Sequence, residues 1–162
     1  MTTTAVLPLS VLYERDETAW LEVMSNLAAE GRYAEMDHPN LSEYLADMAK
    51  RDRREVSSRL VVLLTHLLKW EHQPDHRSGS WQGTIVEQRR ELRKLLDSGT
   101  LYNHAISVLP EAYADARKQA AAETTLPRGT FPAERRWELE SLLADEEEDA
   151  AEPGTAPDRG DT

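Results

Sequence analysis

Leu60-Val61-Val62-Leu63-Leu64-Thr65-His66-Leu67-Leu68-Lys69-Trp70, running into Glu71-His72-Gln73-Pro74, decides the fold of this chain. The run is long, apolar and free of turn residues, and it meets a proline that cannot extend a helix. Beyond it, Ser80 is a candidate cap, and Trp81, Ile85, Gln88, Leu92 and Leu95 follow at intervals of four, three, four and three. That spacing is the seam of a packed bundle helix. His66 and Trp70 fall along one edge of the first helix, and Trp81 and Gln88 on the seam of the second. Leu60–Leu96 is therefore a helical hairpin that locks its own geometry.

Working outward, the first helix of the hairpin extends back to about Asn40, with Leu41, Tyr44, Leu45 and Met48 beginning its apolar face. The charged segment Lys50–Arg54 in its middle permits a bend. Before it, Asp16 can cap a helix carrying Trp20, Leu21, Met24, Leu27 and Ala28, with Gly31 as its stop. After the hairpin, Asp97-Ser98-Gly99 ends the second helix. A short helix follows through Leu101, Ala105 and Val108, and Pro110 begins or kinks the next, whose small-residue stripe is Ala112, Tyr113, Ala116 and Ala120. Pro132–Leu143 closes the series as an amphipathic helix carrying Trp137. β-Branched alternation is missing. The expectation is an all-α, single helical bundle of five or six helices with a long second helix, over residues 12–144, between a flexible N-terminus (1–11) and an acidic tail (145–162).

The chain of 162 residues carries a net charge of −11, unevenly spread. From Asp145 onward eight acids face only Arg159, a local charge of −7; the rest holds 22 acids and 18 bases, or −4. A like-charged block rich in Pro and Gly is expected to be disordered. The mildly acidic body creates no global field for nucleic acid. Cysteine is absent, which removes disulfides, thiol catalysis and zinc thiolates. No signal peptide is visible and the longest apolar run is too short for a bilayer. A soluble, cytoplasmic protein without membrane attachment is expected.

Several separate motifs carry a resemblance. They are Leu12-Tyr13-Glu14-x-Asp16 with Trp20, Asn40-Leu41-x-Glu43, His66-Leu67-Leu68-Lys69-Trp70 with Gln73-Pro74, Ser80-Trp81 with Thr84-Ile85, and Gln88-Arg89-Arg90. Ala112-Tyr113-x-Asp115-Ala116-Arg117, Glu123-Thr124, Phe131-Pro132 and Trp137-x-Leu139 continue the series. In this order they resemble the DUF29 family, bacterial and mainly cyanobacterial proteins of unknown function. The resemblance implies a compact all-helical domain and no established activity. The chain departs from the family pattern where Tyr44 and Ala46 stand in place of acids and Ala49 in place of a glycine. The acidic tail replaces the usual ending.

Four constellations merit weighing. His66, His72 and His76, with Asp75, offer imidazole and carboxylate to a metal, but Pro74 breaks any preformed pair and no ligand spacing is recognisable. No metal or cofactor is expected. Glu43 and Asp47, one helical turn apart, could hold magnesium for nucleotide hydrolysis. Along a continuous helix Glu43 and His66 would be ~35 Å apart, so a solvated first turn is preferred. Arg89, Arg90 and Arg93 form a basic strip for phosphates, interleaved with Glu87 and Glu91 as on an ordinary solvated face. Gln88, on the apolar seam, should be largely buried and bonded to His66 or a backbone carbonyl.

The favoured function is a small non-catalytic helical interaction module, its partner another protein or a second copy of itself. A metal-dependent all-α nucleotide hydrolase using Glu43, Asp47 and His66 is the first alternative. Nucleic-acid binding through Arg89, Arg90 and Arg93 is the second. Trp20, His66, Trp70, Trp81 and Gln88 are read as structural.

Overall fold

The computed structural model describes residues 7–144. Among them are six α-helices and no strand, so the all-α reading holds. The helices are α1 (Leu9–Arg15), α2 (Glu17–Ala29), α3 (His38–His72), α4 (Gly79–Leu95), α5 (Gly99–Thr124) and α6 (Leu139–Leu143). The acidic tail expected at 145–162 lies outside the described residues. So do residues 1–6 of the N-terminal segment expected to be flexible, whereas residues 9–11 belong to α1. No helix among the described residues is long and apolar enough to cross a membrane. The described residues form two compact units, 7–52 and 53–144. The division falls inside the charged Lys50–Arg54 segment of α3.

The first unit contains a helix that periodicity did not announce. α1 starts behind Pro8 and stops at Asp16, whose backbone leaves the helical region at φ −151°, ψ 81°. Asp16 then caps α2, its carboxylate accepting from the Ala19 amide at 3.0 Å, as its side chain and position foretell. Gly31, at φ +70°, ends α2. The Arg32 amide donates to the Leu27 carbonyl and the Gly31 amide to that of Ala28, a paired helix-ending turn. Trp20, Met24 and Leu27 are the core, with Leu12, Leu41 and the rings of Tyr13 and Tyr44 against them.

The second unit is built on the hairpin. Its core runs from Val56 to Leu68 on α3, through Ile85 and Leu92 on α4 and Ala105 to Ala120 on α5, to Phe131, Leu139 and Leu142. Arg59 meets Gln88 at 3.1 Å and Lys69 lies over the Trp81 ring at 4.5 Å, so α3 and α4 are antiparallel. Ser57 meets His104 at 3.3 Å and Lys69 meets Glu123 at 2.7 Å, so α5 runs parallel to α3.

Three boundaries differ from expectation. Ser78, not Ser80, caps α4, its hydroxyl accepting from the Trp81 amide at 3.3 Å. α5 is one helix through Pro110, where a break was expected. Pro110 is exposed, and the buried Leu109, Ala112 and Tyr113 around it supply more than one missing backbone bond removes. The last helix is only Leu139–Leu143, leaving Trp137 outside it. Side chains of α5 capture the preceding carbonyls: Arg117 donates to Phe131 O, and the Tyr113 hydroxyl to Pro132 O at 2.8 Å. These bonds take the first carbonyls of the segment, which runs without helix to Glu138.

Candidate functional site

In the first unit Trp20 is fully buried, and its indole N–H donates to Asp37 Oδ2 at 3.2 Å. Asn40 donates to the same oxygen at 2.7 Å. Asp37 thus joins two of the recognisable motifs, the Trp20 helix and the start of α3. Glu43 and Asp47 are both exposed, and Asp47 pairs with Lys50 at 3.4 Å. Their surroundings are those of a solvated helix face. His66, the third residue of the hydrolase alternative, belongs to the second unit.

On α4 the buried line is Ile85, Arg89 and Leu92, continued by Leu96 just past its end, and it lies one position away from the predicted seam at 88. Gln88, expected to be largely buried, is half-buried, and it accepts from Arg59 instead of bonding to His66 or a backbone carbonyl. The shift has a physical cause. Arg89 lays its apolar stem in the core, and its guanidinium Nε donates to the Leu142 carbonyl at 2.9 Å. Arg93 donates to Leu143 O, from Nε at 2.7 Å and also from Nη2. Two of the three candidate phosphate-binding arginines therefore fasten the end of α6. Arg90 is exposed and pairs with Glu91 at 3.1 Å. Hydrogen bonds from Lys94 and Arg90 hold the Glu91 carboxyl below its ordinary range.

The three candidate metal histidines sit in different surroundings. His72 stands edge-on to Phe131, ring centres 5.4 Å apart, with its Nε2 buried and unpartnered. His76 is exposed in a short 3-10 turn, Pro74–His76. His66 is half-buried, its Nδ1 bonded to Val62 O at 2.9 Å. A carbonyl only accepts, so Nδ1 carries the proton, and in the neutral ring Nε2 is left as an acceptor. Among the described residues no three or more His, Asp or Glu side chains are grouped as a metal would need.

What lies beside His66 is a groove between α3 and α5. A hollow of about 330 Å³ is lined by Val61, Val62, Thr65 and His66 on α3, and by Gln119 and Glu123 on α5. A second hollow of about 150 Å³ adjoins it at Val61, between Ser57 on one side and Glu111, Ala112 and Asp115 on the other. Behind Glu123 sits Lys69. It is buried, 7% exposed, with its ammonium shared between the Glu123 carboxylate and the face of Trp81. Burial pushes the Glu123 carboxyl up, but hydrogen bonds from Lys69 and Gln119 outweigh it, and the group ends below its ordinary value. Trp70, half-buried, gives its carbonyl to Arg77 at 2.7 Å and its ring to the same guanidinium.

Sequence reasoning missed Asp37 as the acceptor that ties Trp20 to Asn40, and it missed Lys69 and Glu123 as a pair. Glu123-Thr124 was among the recognised motifs, but nothing in spacing joins it to a lysine 54 positions earlier.

A family model described as domain of unknown function DUF29 matches residues 12–146. No curated protein and no solved structure matches the chain.

Proposed function

We infer that this chain, which belongs to the DUF29 family, is a non-catalytic helical module that binds another protein. One observation carries the reading: the polar residues singled out by sequence are mostly engaged by the chain itself. Arg89 and Arg93 hold α6, Gln88 holds Arg59, and Trp81 holds Lys69. Groups committed to internal bonds are already satisfied and give little to chemistry on a substrate. The groove between α3 and α5, with apolar walls and a polar rim, is a concave surface open to recognition.

The metal-dependent hydrolase is the weaker reading. It needs carboxylates converging from more than one helix, whereas Glu43 and Asp47 lie exposed on one. Nucleic-acid binding is weaker again, because Arg89 is buried and Arg93 is bonded to α6.

The test is purification of the tagged full chain from its native host, with protein and metal content measured on the same sample. A stoichiometric protein companion supports the module. A metal-bearing chain that turns over nucleotides, with the activity lost in Glu43→Gln, replaces it by the hydrolase.

A further inference from the structure

Four residues of α5 stand on one ridge of the groove: Glu111, Asp115, Gln119 and Glu123, each four positions from the last. Such spacing keeps side chains on one helix face, and the ridge spans ~18 Å. All four are exposed and each lines one of the two adjoining hollows. The α3 side contributes Ser57, Ser58 and His66 at the rim, and Lys69 meets Glu123 from inside the fold. Between the two sides run Val61, Val62, Val108 and Ala112, an apolar floor.

Counter-charges do not cancel the ridge. Lys118 reaches Asp115 only at 3.8 Å, and Lys69 engages Glu123 from inside the fold. Glu111 and Asp115 therefore present negative charge beside an apolar floor. His66 on the opposite side keeps Nε2 as an acceptor in its neutral ring, since its Nδ1 proton is given to Val62 O.

We propose that the α3–α5 groove receives a basic amphipathic helix of a protein partner, its apolar side chains on the Val61–Ala112 floor and its lysines or arginines against Glu111 and Asp115. A helix repeats its side chains at the same four-residue spacing as the acidic ridge, so one face can set cations opposite carboxylates over several turns. Charge complementarity selects this occupant: a second copy of an acidic chain, net −11, meets repulsion that a basic partner does not. The proposal rests on the interaction-module reading and adds to it the place and the chemistry of the contact.

The test uses the full chain, isotope-labelled for amide NMR and titrated with two synthetic amphipathic peptides at physiological salt. One carries leucine and lysine at helical spacing; the other has glutamate for every lysine. The expected result is saturable shifts at Val61, Val62, His66 and Ala112 with the basic peptide and none with the acidic one. The double variant E111K/D115K, altered only at exposed positions and checked for fold by circular dichroism, should bind about tenfold more weakly or worse. Shifts confined to residues 145–162 or to the exposed face of α4 overturn the proposal. So does equal binding of both peptides, or binding that ignores the charge reversal. Shifts at the groove that grow with protein concentration alone assign it to a second copy and also overturn it. A native companion held equally by wild type and E111K/D115K sinks the groove yet leaves the module standing; a host-purified chain with no companion sinks the module itself.

Discussion

Arg89 donates from its guanidinium Nε to the backbone carbonyl of Leu142 at 2.9 Å, from a position only 6% exposed. A residue that sequence places on a solvated basic face is thus a strut between α4 and α6. A buried cation–carbonyl bond contributes about 1.5–3 kcal/mol, and the stem's packing adds to it. Arg89→Ala should lower unfolding stability in urea by about 2–4 kcal/mol, while Arg90→Ala, on the exposed face, should stay within about 0.5 kcal/mol. Equal effects at the two positions would contradict the assignment.

Asp37 ties Trp20 to Asn40. Asp37→Ala leaves the indole N–H of a fully buried ring without its acceptor, a loss of about 1–3 kcal/mol. Tryptophan fluorescence should report it as well, since the environment of Trp20 is the one altered. Unchanged stability and emission would show that the link does not hold the first unit together.

The Lys69–Glu123 pair makes a pH prediction. The folded carboxyl of Glu123 titrates below its ordinary value of 4.5. A depressed acid contributes stability above its unfolded pKa and loses it as pH falls through the folded one. Glu123→Gln should therefore be less stable than wild type near neutral pH, and the difference should shrink as pH drops below 4.5. A difference that is the same at neutral and acid pH would refute the pairing.

Two exposed backbone positions should accept stabilising changes. A Cβ at Gly83, inside α4, meets nothing within 4 Å, so Gly83→Ala should add about 0.5–1 kcal/mol. Thr125 ends α5 in the left-handed region at φ +58°, which a β-branched residue occupies at a cost of about 1–2 kcal/mol. Thr125→Gly should recover part of that, read as a higher urea midpoint. A fall at either position would mean that the helix limits are placed wrongly.

The legible part of the fold was local. Asp16 and Gly31 announce the limits of α2 because a cap and a left-handed turn need those residue types whatever surrounds them. The apolar spacing of α3 announces a buried face. What was not legible depends on distant groups. Gln88 and Arg89 are neighbours on one helix, and only the carbonyl of Leu142 decides which of them turns inward. Pro110 looks like a break until the buried residues on either side of it hold α5 together. The segment after Phe131 has helical spacing, yet Tyr113 and Arg117 take its carbonyls. In the candidate site, His66 was visible, but the ridge from Glu111 to Glu123 faces it only through the parallel placement of α3 and α5.

The native mass spectrum of the tagged chain, taken intact from its host at physiological salt, tests the central claim most directly. The account predicts a mass equal to the chain plus a basic protein in fixed ratio, with that mass absent from the E111K/D115K sample. A lone chain carrying a divalent metal, and losing it with Glu43→Gln and Asp47→Asn, would contradict it.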